Sequence, residues 1–324
     1  MTDKFQIQSN IFYILLIKNG DFMESIKEKW FIDTDIGNDS DDCMALGYLL
    51  ARKDIEILGI TTVSGECRER AAFADLIVSG TGKRIPVCPG NEKSLSGECI
   101  QYCMEAHQRE QIYRYPSLNT EIENRAVNLL KKTIEANPYE ISLAIIGQMT
   151  NIALLFATYP HIPKLLKKIV IMGGRYFDKD YCDIKKWGFT EWNIKLDPYA
   201  ASIVFQNIAA ESYITGVEIS CQFFKKAQNV ADKLSSVTYM KSVCDVIRNY
   251  DITWFHDAIA IWAGIYKEKL KWVQGNIRVE INNPEEIKTV FSPDPHGKCF
   301  VLSEMNSDNF FEDFAKNFGF DWNN

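Results

Sequence analysis

The amino-acid sequence predicts an α/β protein built on an open, mainly parallel sheet with helices on both faces. Three observations carry this. Short β-rich runs alternate with amphipathic stretches of helical period, polar clusters fall directly behind the apolar runs, and no Gly/Ser linker, repeat or low-complexity stretch divides the chain. In order, "WFIDTD" is a strand, and "DDCMALGYLLARK" behind it has apolar residues at helical spacing. "IEILGITTVSG" and the helix "CRERAAFADLIVSGTG" follow, then the short strand "RIPVCPG" and the helix "IENRAVNLLKKTIEANP". "ISLAIIG" leads into the helical segment "TNIALLFATYPHIPKLLKK". "KIVIMGG", the helix "DPYAASIVFQNIA" and a last β-rich run, "SYITGVEIS", complete the alternation.

Composition narrows the function. The 324 residues are 46% hydrophobic and 24% charged, which is ordinary for a globular chain long enough to bury a large core. The net charge is -7, and no basic run is longer than a pair such as Lys185 and Lys186, so a surface for nucleic-acid phosphates is not expected. Small neutral or cationic partners fit better. Nine cysteines, at 43, 67, 88, 99, 103, 182, 221, 244 and 299, lack Cys-x-x-Cys spacing, which predicts reduced thiols in a cytoplasmic protein rather than a disulfide framework or a zinc site. The apolar run "IFYILLI" (11–17) is too short to span a membrane, and "MTDKFQIQSN" lacks the basic start of a signal peptide. Residues 1–22 read as an extension, with Met23 as a candidate natural start, and 23–324 as one α/β domain.

The segment "FIDTDIGNDSDDCMAL" places five aspartates, Asp33, Asp35, Asp39, Asp41 and Asp42, in ten positions behind the first strand. In an open parallel sheet the loops at the carboxyl ends of the strands form the ligand crevice. "GQMTN" and "GGR" occupy equivalent places behind later strands. Packed carboxylates repel one another unless a cation or bound hydroxyls compensate, and hard oxygen donors select Ca²⁺ or Mg²⁺. An EF-hand loop starting at Asp33 would need Gly and a carboxylate where Asn38 and Met44 stand, so that motif fails. Asp33 and Asp35 also fit the Asp-x-Asp start of a Mg²⁺-dependent haloacid dehalogenase-like phosphatase. That family usually carries Thr or Val where Gly37 stands.

A closer match lies elsewhere. "DTDIGNDSDD", "IIGQMTNIALLF" (145–156), "IVIMGG", "EWNIKLDP" and "FHDAIAI" (255–261) occur in the order and spacing of segments in the calcium-dependent, inosine-uridine-preferring nucleoside hydrolases, and from about residue 29 the chain resembles that family. The resemblance implies a Rossmann-like, nucleoside hydrolase-like fold and hydrolysis of ribonucleosides to free base and ribose. It implies one Ca²⁺ held by Asp35, Asp42, Asp257 and the carbonyl of Ile146, with Asp35 as base toward a Ca²⁺-bound water and His256 as acid for the departing base. Asp41, Glu191, Asn193 and Asp257 are implied to receive the ribose hydroxyls. A carboxylate-rich pocket suits the positive charge that develops on the ribose ring. A homodimer or homotetramer serving purine or pyrimidine salvage is implied as well.

The chain departs from the family pattern at "VSGE", where Glu66 takes the place of an amide that commonly contacts substrate. Glu66 is expected to add negative charge near the sugar and to help keep the His256 imidazole charged. "QYCMEAHQREQIYRY" is expected as a flap over the pocket. A Ca²⁺-containing nucleoside-binding protein with weak catalysis is the non-enzymatic alternative. Structural roles are expected for Asp33 and Asp39 in the turn, Asn151 as a helix cap, and Asp197 as an N-cap before first-turn Pro198. Trp187, Phe189 and Trp192 are expected mostly in the core. His107, His161 and His296 carry no functional context.

Overall fold

The structure, a computed structural model, describes residues 27–99, 104–114, 126–177, 190–283 and 286–322. The extension, residues 101–103 and 115 of the expected flap, Trp187 and Phe189 lie outside the described residues, while 104–114 of the flap are described and largely helical. Among the described residues there are eleven strands: β1 (Glu28–Thr34), β2 (Ile55–Thr62), β3 (Val87–Pro89), β4 (Ile141–Ile145), β5 (Lys168–Met172), β6 (Ser212–Thr215), β7 (Phe224–Lys226), β8 (Ile252–Trp254), β9 (Lys271–Asn283), β10 (Glu286–Pro293) and β11 (Cys299–Glu304). The α-helices are α1 (Asp41–Ala51), α2 (Cys67–Ser79), α3 (Ala106–Arg114), α4 (Ala126–Ala136), α5 (Thr150–Thr158), α6 (Trp192–Leu196), α7 (Pro198–Asn207), α8 (Val217–Ser220), α9 (Ala227–Leu234), α10 (Lys241–Ile247), α11 (His256–Ile265) and α12 (Ser307–Phe318).

Nine strands form one sheet in the order β10-β9-β11-β6-β5-β4-β1-β2-β3, and β1 pairs in parallel with both β2 and β4. The chain runs outward from β1 through β2 to β3, then returns to β4 on the other side. The gap beyond the carboxyl ends of β1 and β4 is therefore the topological switch point, where ligands bind in such sheets.

The period of two in each strand divides the core between the faces. Trp30 and Ile32 of β1, with Val170 and Met172 of β5, join the cluster that holds α1, α11 and α12. Phe31, Ile169 and Ile171 join the cluster on the other face, with Leu130 of α4, Ile152 of α5 and Val204 of α7. With both faces covered, β1, β4 and β5 read as continuous apolar runs.

Three local expectations need correction. "SYITGVEIS" is a strand only to Thr215, and Val217–Ser220 is helical. The helix beginning "TNIALLF" stops at Thr158 and a 3-10 turn follows at Ile162–Leu165, because Pro160 and Pro163 lack the amide hydrogen that a continuing helix needs. Cys221 is disulfide-bonded, against the expectation of reduced thiols, while Cys43, Cys67, Cys244 and Cys299 are free. Two antiparallel features were not anticipated: the β9–β10 hairpin continuing into β11, and the β7–β8 ribbon.

At the opposite end of β1, Glu28 accepts from Ser142 Oγ at 2.8 Å and lies 3.0 Å from Lys168 Nζ and 3.1 Å from Lys167 Nζ. Burial pushes the carboxyl upward, but the two ammonium groups and the hydroxyl outweigh it and hold Glu28 down at about 2. Burial lowers Lys168, so part of the pair's attraction offsets its own desolvation, and the net benefit is smaller than the Glu28 shift implies. A depressed carboxylate contributes stability that is present above its unfolded value of 4.5 and lost as pH falls toward 2. Glu28→Gln is expected to cost about 1–3 kcal/mol at pH 7 and to flatten the loss of stability across that window. Urea denaturation at pH 7 and pH 3 measures both; equal wild-type and variant stability at pH 7 would remove the pair as a stabilising element.

Candidate active site

The acidic loop leaves β1 at the switch point, and its turn depends on two glycines. Gly37 sits at φ +121°, a region that side-chain-bearing residues rarely adopt. Gly147 passes so close that a Cβ there would lie 2.8 Å from the backbone N and from Oδ1 of Asp35. Arg70 of α2, fully buried, fastens the loop. Its Nε donates to Ser64 O at 2.6 Å, its guanidinium donates to Asp35 O and to Ile36 O, and Nη2 donates to Asn38 Oδ1 at 3.1 Å. Sequence reasoning missed Arg70. The available signal was an arginine on the same helical face as Phe73, Ala74 and Ile77, where a charge must be fully paired.

Asp33 is sequestered rather than catalytic in position. Its Oδ1 accepts from Thr61 Oγ1 at 2.5 Å and from Asn151 Nδ2 at 2.7 Å, and burial raises its carboxyl to about 7. Asn151 is not a cap, because Met149 holds the N-cap position of α5. Instead its amide ties β1 to the carbonyl of Thr62 and accepts from the backbone N and the Nδ2 of Asn91. Asp197 is the expected N-cap of α7, accepting from Ala200 N at 3.0 Å ahead of Pro198, and it also accepts from Thr150 Oγ1 at 2.6 Å. Trp192 is 47% exposed, which corrects the expectation of a core residue.

The structure brings the expected carboxylates together. Asp35, Asp41, Asp42 and Asp257 are 7%, 7%, 4% and 3% exposed. Burial raises Asp35 to about 6, with Arg70 pulling it down and Asp39 pushing it up. Asp257 is driven well above the usual carboxylate range by burial and then by Asp42, Asp35, Asp39 and Glu191. Asp41 and Asp42 are raised in the same way, with burial as the leading cause. Thr34 Oγ1 donates to Asp42, and the Asp42 amide donates to Asp41 Oδ1 at 3.0 Å. Among the described residues, oxygens of Asp39, Asp41 and Asp42 lie within 4.8 Å of one another. Asp39 is exposed, as a solvated turn residue should be, yet its carboxylate belongs to this group.

On the far side of the crevice, Glu191 caps α6. It accepts from Asn193 N at 2.9 Å and Ile194 N at 3.1 Å, and from Gly174 N at 2.9 Å, which ties it to the loop after β5. Burial raises it to about 7 despite these amides. Asn193 Nδ2 donates to Ile146 O at 3.1 Å and Met172 O at 3.2 Å, so the Ile146 carbonyl and Asn193 share one corner. His256, at the start of α11, stacks on Trp254 with ring centroids 5.3 Å apart, and its Nδ1 lies 2.8 Å from Ser220 Oγ.

Glu66 behaves differently from expectation. Its carboxylate accepts from Met104 N at 2.9 Å and pairs with Arg109, so its charge is matched within the protein. Burial lowers His256 to about 4, with Asp39 opposing, so the imidazole is neutral at pH 7 and Glu66 does not keep it charged.

The donor set is oxygen-only and crowded. Buried carboxylates that raise one another's proton affinity, offset by Arg70, suit a hard divalent cation, whose charge would remove the repulsion. Fold and site together define an α/β protein with a buried acidic crevice at a sheet switch point. The inosine-uridine preferring nucleoside hydrolase family model matches residues 30–312, and the chain belongs to that family of nucleoside hydrolases. It is 26% identical over 281 residues to a probable uridine nucleosidase 2 of Oryza sativa subsp. japonica, covering 81% of each chain. It is also 26% identical over 282 residues to uridine nucleosidase 1 of Arabidopsis thaliana, covering 82% of this chain and 81% of that one. Among solved structures, a purine-preferring ribonucleoside hydrolase from Gardnerella vaginalis superposes with a TM-score of 0.75 at 21% identity, over 90% of this chain and 98% of that one. No helix among the described residues is long and apolar enough to cross a membrane.

Proposed function

We propose that the protein cleaves the N-glycosidic bond of ribonucleosides, releasing ribose and free base, at a site holding one Ca²⁺ through Asp35, Asp42, Asp257 and the Ile146 carbonyl. The observation that carries this reading is the buried convergence of Asp35, Asp41, Asp42 and Asp257 at the switch point, each with raised proton affinity. When bound, Ca²⁺ acts as a Lewis acid that makes a water more acidic and orients sugar hydroxyls. Asp35 accepts the proton of the attacking water, and its raised proton affinity suits a base working near neutral pH. Asp41, Glu191, Asn193 and Asp257 receive the ribose hydroxyls. Because such groups would be left unpaired by a missing hydroxyl, ribosides are preferred to deoxyribosides. The surrounding carboxylates stabilise the positive charge of the oxocarbenium-like transition state.

His256 delivers a proton to the leaving base. The donor is the imidazolium, a minor form at pH 7 whose Nδ1–H donates to Ser220 Oγ; Nε2 gives up the proton, and the transfer leaves the neutral imidazole that burial favours. A phosphatase of the Asp-x-Asp type would use Asp33, which Thr61 and Asn151 sequester. A role in nucleoside salvage and a homodimeric or homotetrameric state belong to the same proposal.

Incubation with inosine and with uridine, with reducing-sugar detection before and after chelation, tests the reading. Sugar release that chelation abolishes supports it; tight binding without release would favour a nucleoside-binding protein. His256→Ala is expected to lower inosine turnover about 10²-fold and to spare p-nitrophenyl riboside, whose leaving group departs without a proton. An equal fall on both substrates would make His256 structural.

A further inference from the structure

Five successive carbonyls of the acidic loop are held from outside it. The Arg70 guanidinium donates to those of Asp35 and Ile36. The Glu105 N–H donates to Gly37 O at 3.0 Å, the Tyr250 hydroxyl to Asn38 O at 2.9 Å, and Gln108 Nε2 to Asp39 O at 2.8 Å. With every carbonyl from 35 to 39 engaged, the path of the main chain is set, and with it the positions from which the carboxylates project.

Two of those donors come from one segment, 104–114, which contains α3 and contributes no strand to the sheet. Gln108 is fully buried, and Met104, 3% exposed, fills the space beside Gly37, where a Cβ would lie 2.8 Å from its side chain. His107 Nε2 lies 3.0 Å from the Tyr250 hydroxyl, joining a third donor to the same helix. The other side of the segment is held by Glu66 at the N-cap position of α2, through the Met104 amide and the Arg109 guanidinium. A carboxylate at position 66 serves here better than an amide, because a charge-assisted bond to the arginine is roughly twice as strong as a neutral one.

We propose that the Glu66–Arg109 pair is a latch pressing 104–114 against the acidic loop, which makes Glu66, Gln108 and Arg109 positioning residues for Asp35, Asp41 and Asp42. The inference rests on the reading of that loop as the Ca²⁺-holding reaction centre. Fixing the main chain before the cation arrives lowers the ordering cost of binding it, so the latch acts on cation affinity more than on the chemical step.

The test is hydrogen exchange of peptides covering 36–42 in wild-type protein, Arg109→Met, Arg109→Lys and Glu66→Gln, with 141–145 as an internal control. Exchange at 36–42 should rise about tenfold in Arg109→Met, the factor associated with one charge-assisted hydrogen bond, with the control unchanged and most protection restored by Arg109→Lys. Calorimetric Ca²⁺ affinity should fall in parallel by about tenfold, while kcat at saturating Ca²⁺ falls by less than about threefold. Unchanged exchange at 36–42 in folded Arg109→Met, or an Arg109→Lys no better than Met, overturns the latch. Should Arg109→Met fail to fold, Glu66→Gln, which keeps an acceptor for the Met104 amide and removes the charge, is judged by the same criterion. Wild-type protein that binds no Ca²⁺ would retire the proposed function, and the exchange measurements would still decide the latch.

Discussion

Asp35→Asn is expected to lower inosine turnover by about 10²- to 10⁴-fold, the range associated with loss of a positioned base, with an added fall from a weakened cation site. The variant keeps the shape of the side chain and removes its charge. Its fold should survive for a specific reason: burial and Asp39 hold Asp35 at about 6, above its ordinary 3.8, so ionising it works against the cation-free folded state as pH rises from 3.8 through 6. Removing that charge should leave the melting temperature of the cation-free protein equal or higher at pH 7, while activity collapses. Stability and activity would then move in opposite directions, as expected where a reaction centre stores unfavourable charge. The measurement is a pair of melting curves in chelator beside steady-state kinetics on inosine. Near-normal turnover would remove Asp35 from the mechanism.

Asp42→Ala should abolish tight Ca²⁺ binding and with it nearly all turnover. Asp42 is 4% exposed, accepts from Thr34 Oγ1, and is pushed up by burial and then by Asp35 and Asp39. A cation taken from water into so buried a place needs its full complement of carboxylates, and loss of one leaves its desolvation uncompensated. Added Ca²⁺ should raise the melting temperature of the wild type and leave that of the variant unmoved, since a ligand stabilises only a state that binds it. Metal analysis finding no divalent ion in purified wild-type protein, with no activation by added Ca²⁺, would sink the calcium assignment.

The legible part of the site was the part encoded by local pattern. Five aspartates crowded behind an apolar strand, with "GQMTN" and "GGR" behind others, marked the crevice because chain direction places every such loop at one edge of a parallel sheet. Asp197 ahead of Pro198 was legible as a cap because the amide it caps, Ala200 N, is three residues away. Asn151 looked like a cap and is not one. Its contacts are with Asp33, Thr62 and Asn91, which meet it only after β1, β2 and β4 are laid side by side. Glu66 carried a charge whose partner, Arg109, lies far along the chain, so its neutralisation could not be read in advance.

By itself the sequence determined the sheet class, the two buried faces, the family and the acidic loop, because these follow from periods of two and 3.6 and from contiguous motifs. It left open which charges would be matched. Tertiary structure decided that Arg70 fastens the loop from below, that Asp33 is locked away while Asp35 remains at the crevice, that burial leaves His256 neutral, and that Cys221 finds a disulfide. The physical reason is common to all four. Proton affinity and pairing depend on desolvation and on charges within a few ångströms, and those distances are set by the folded chain rather than by spacing along it.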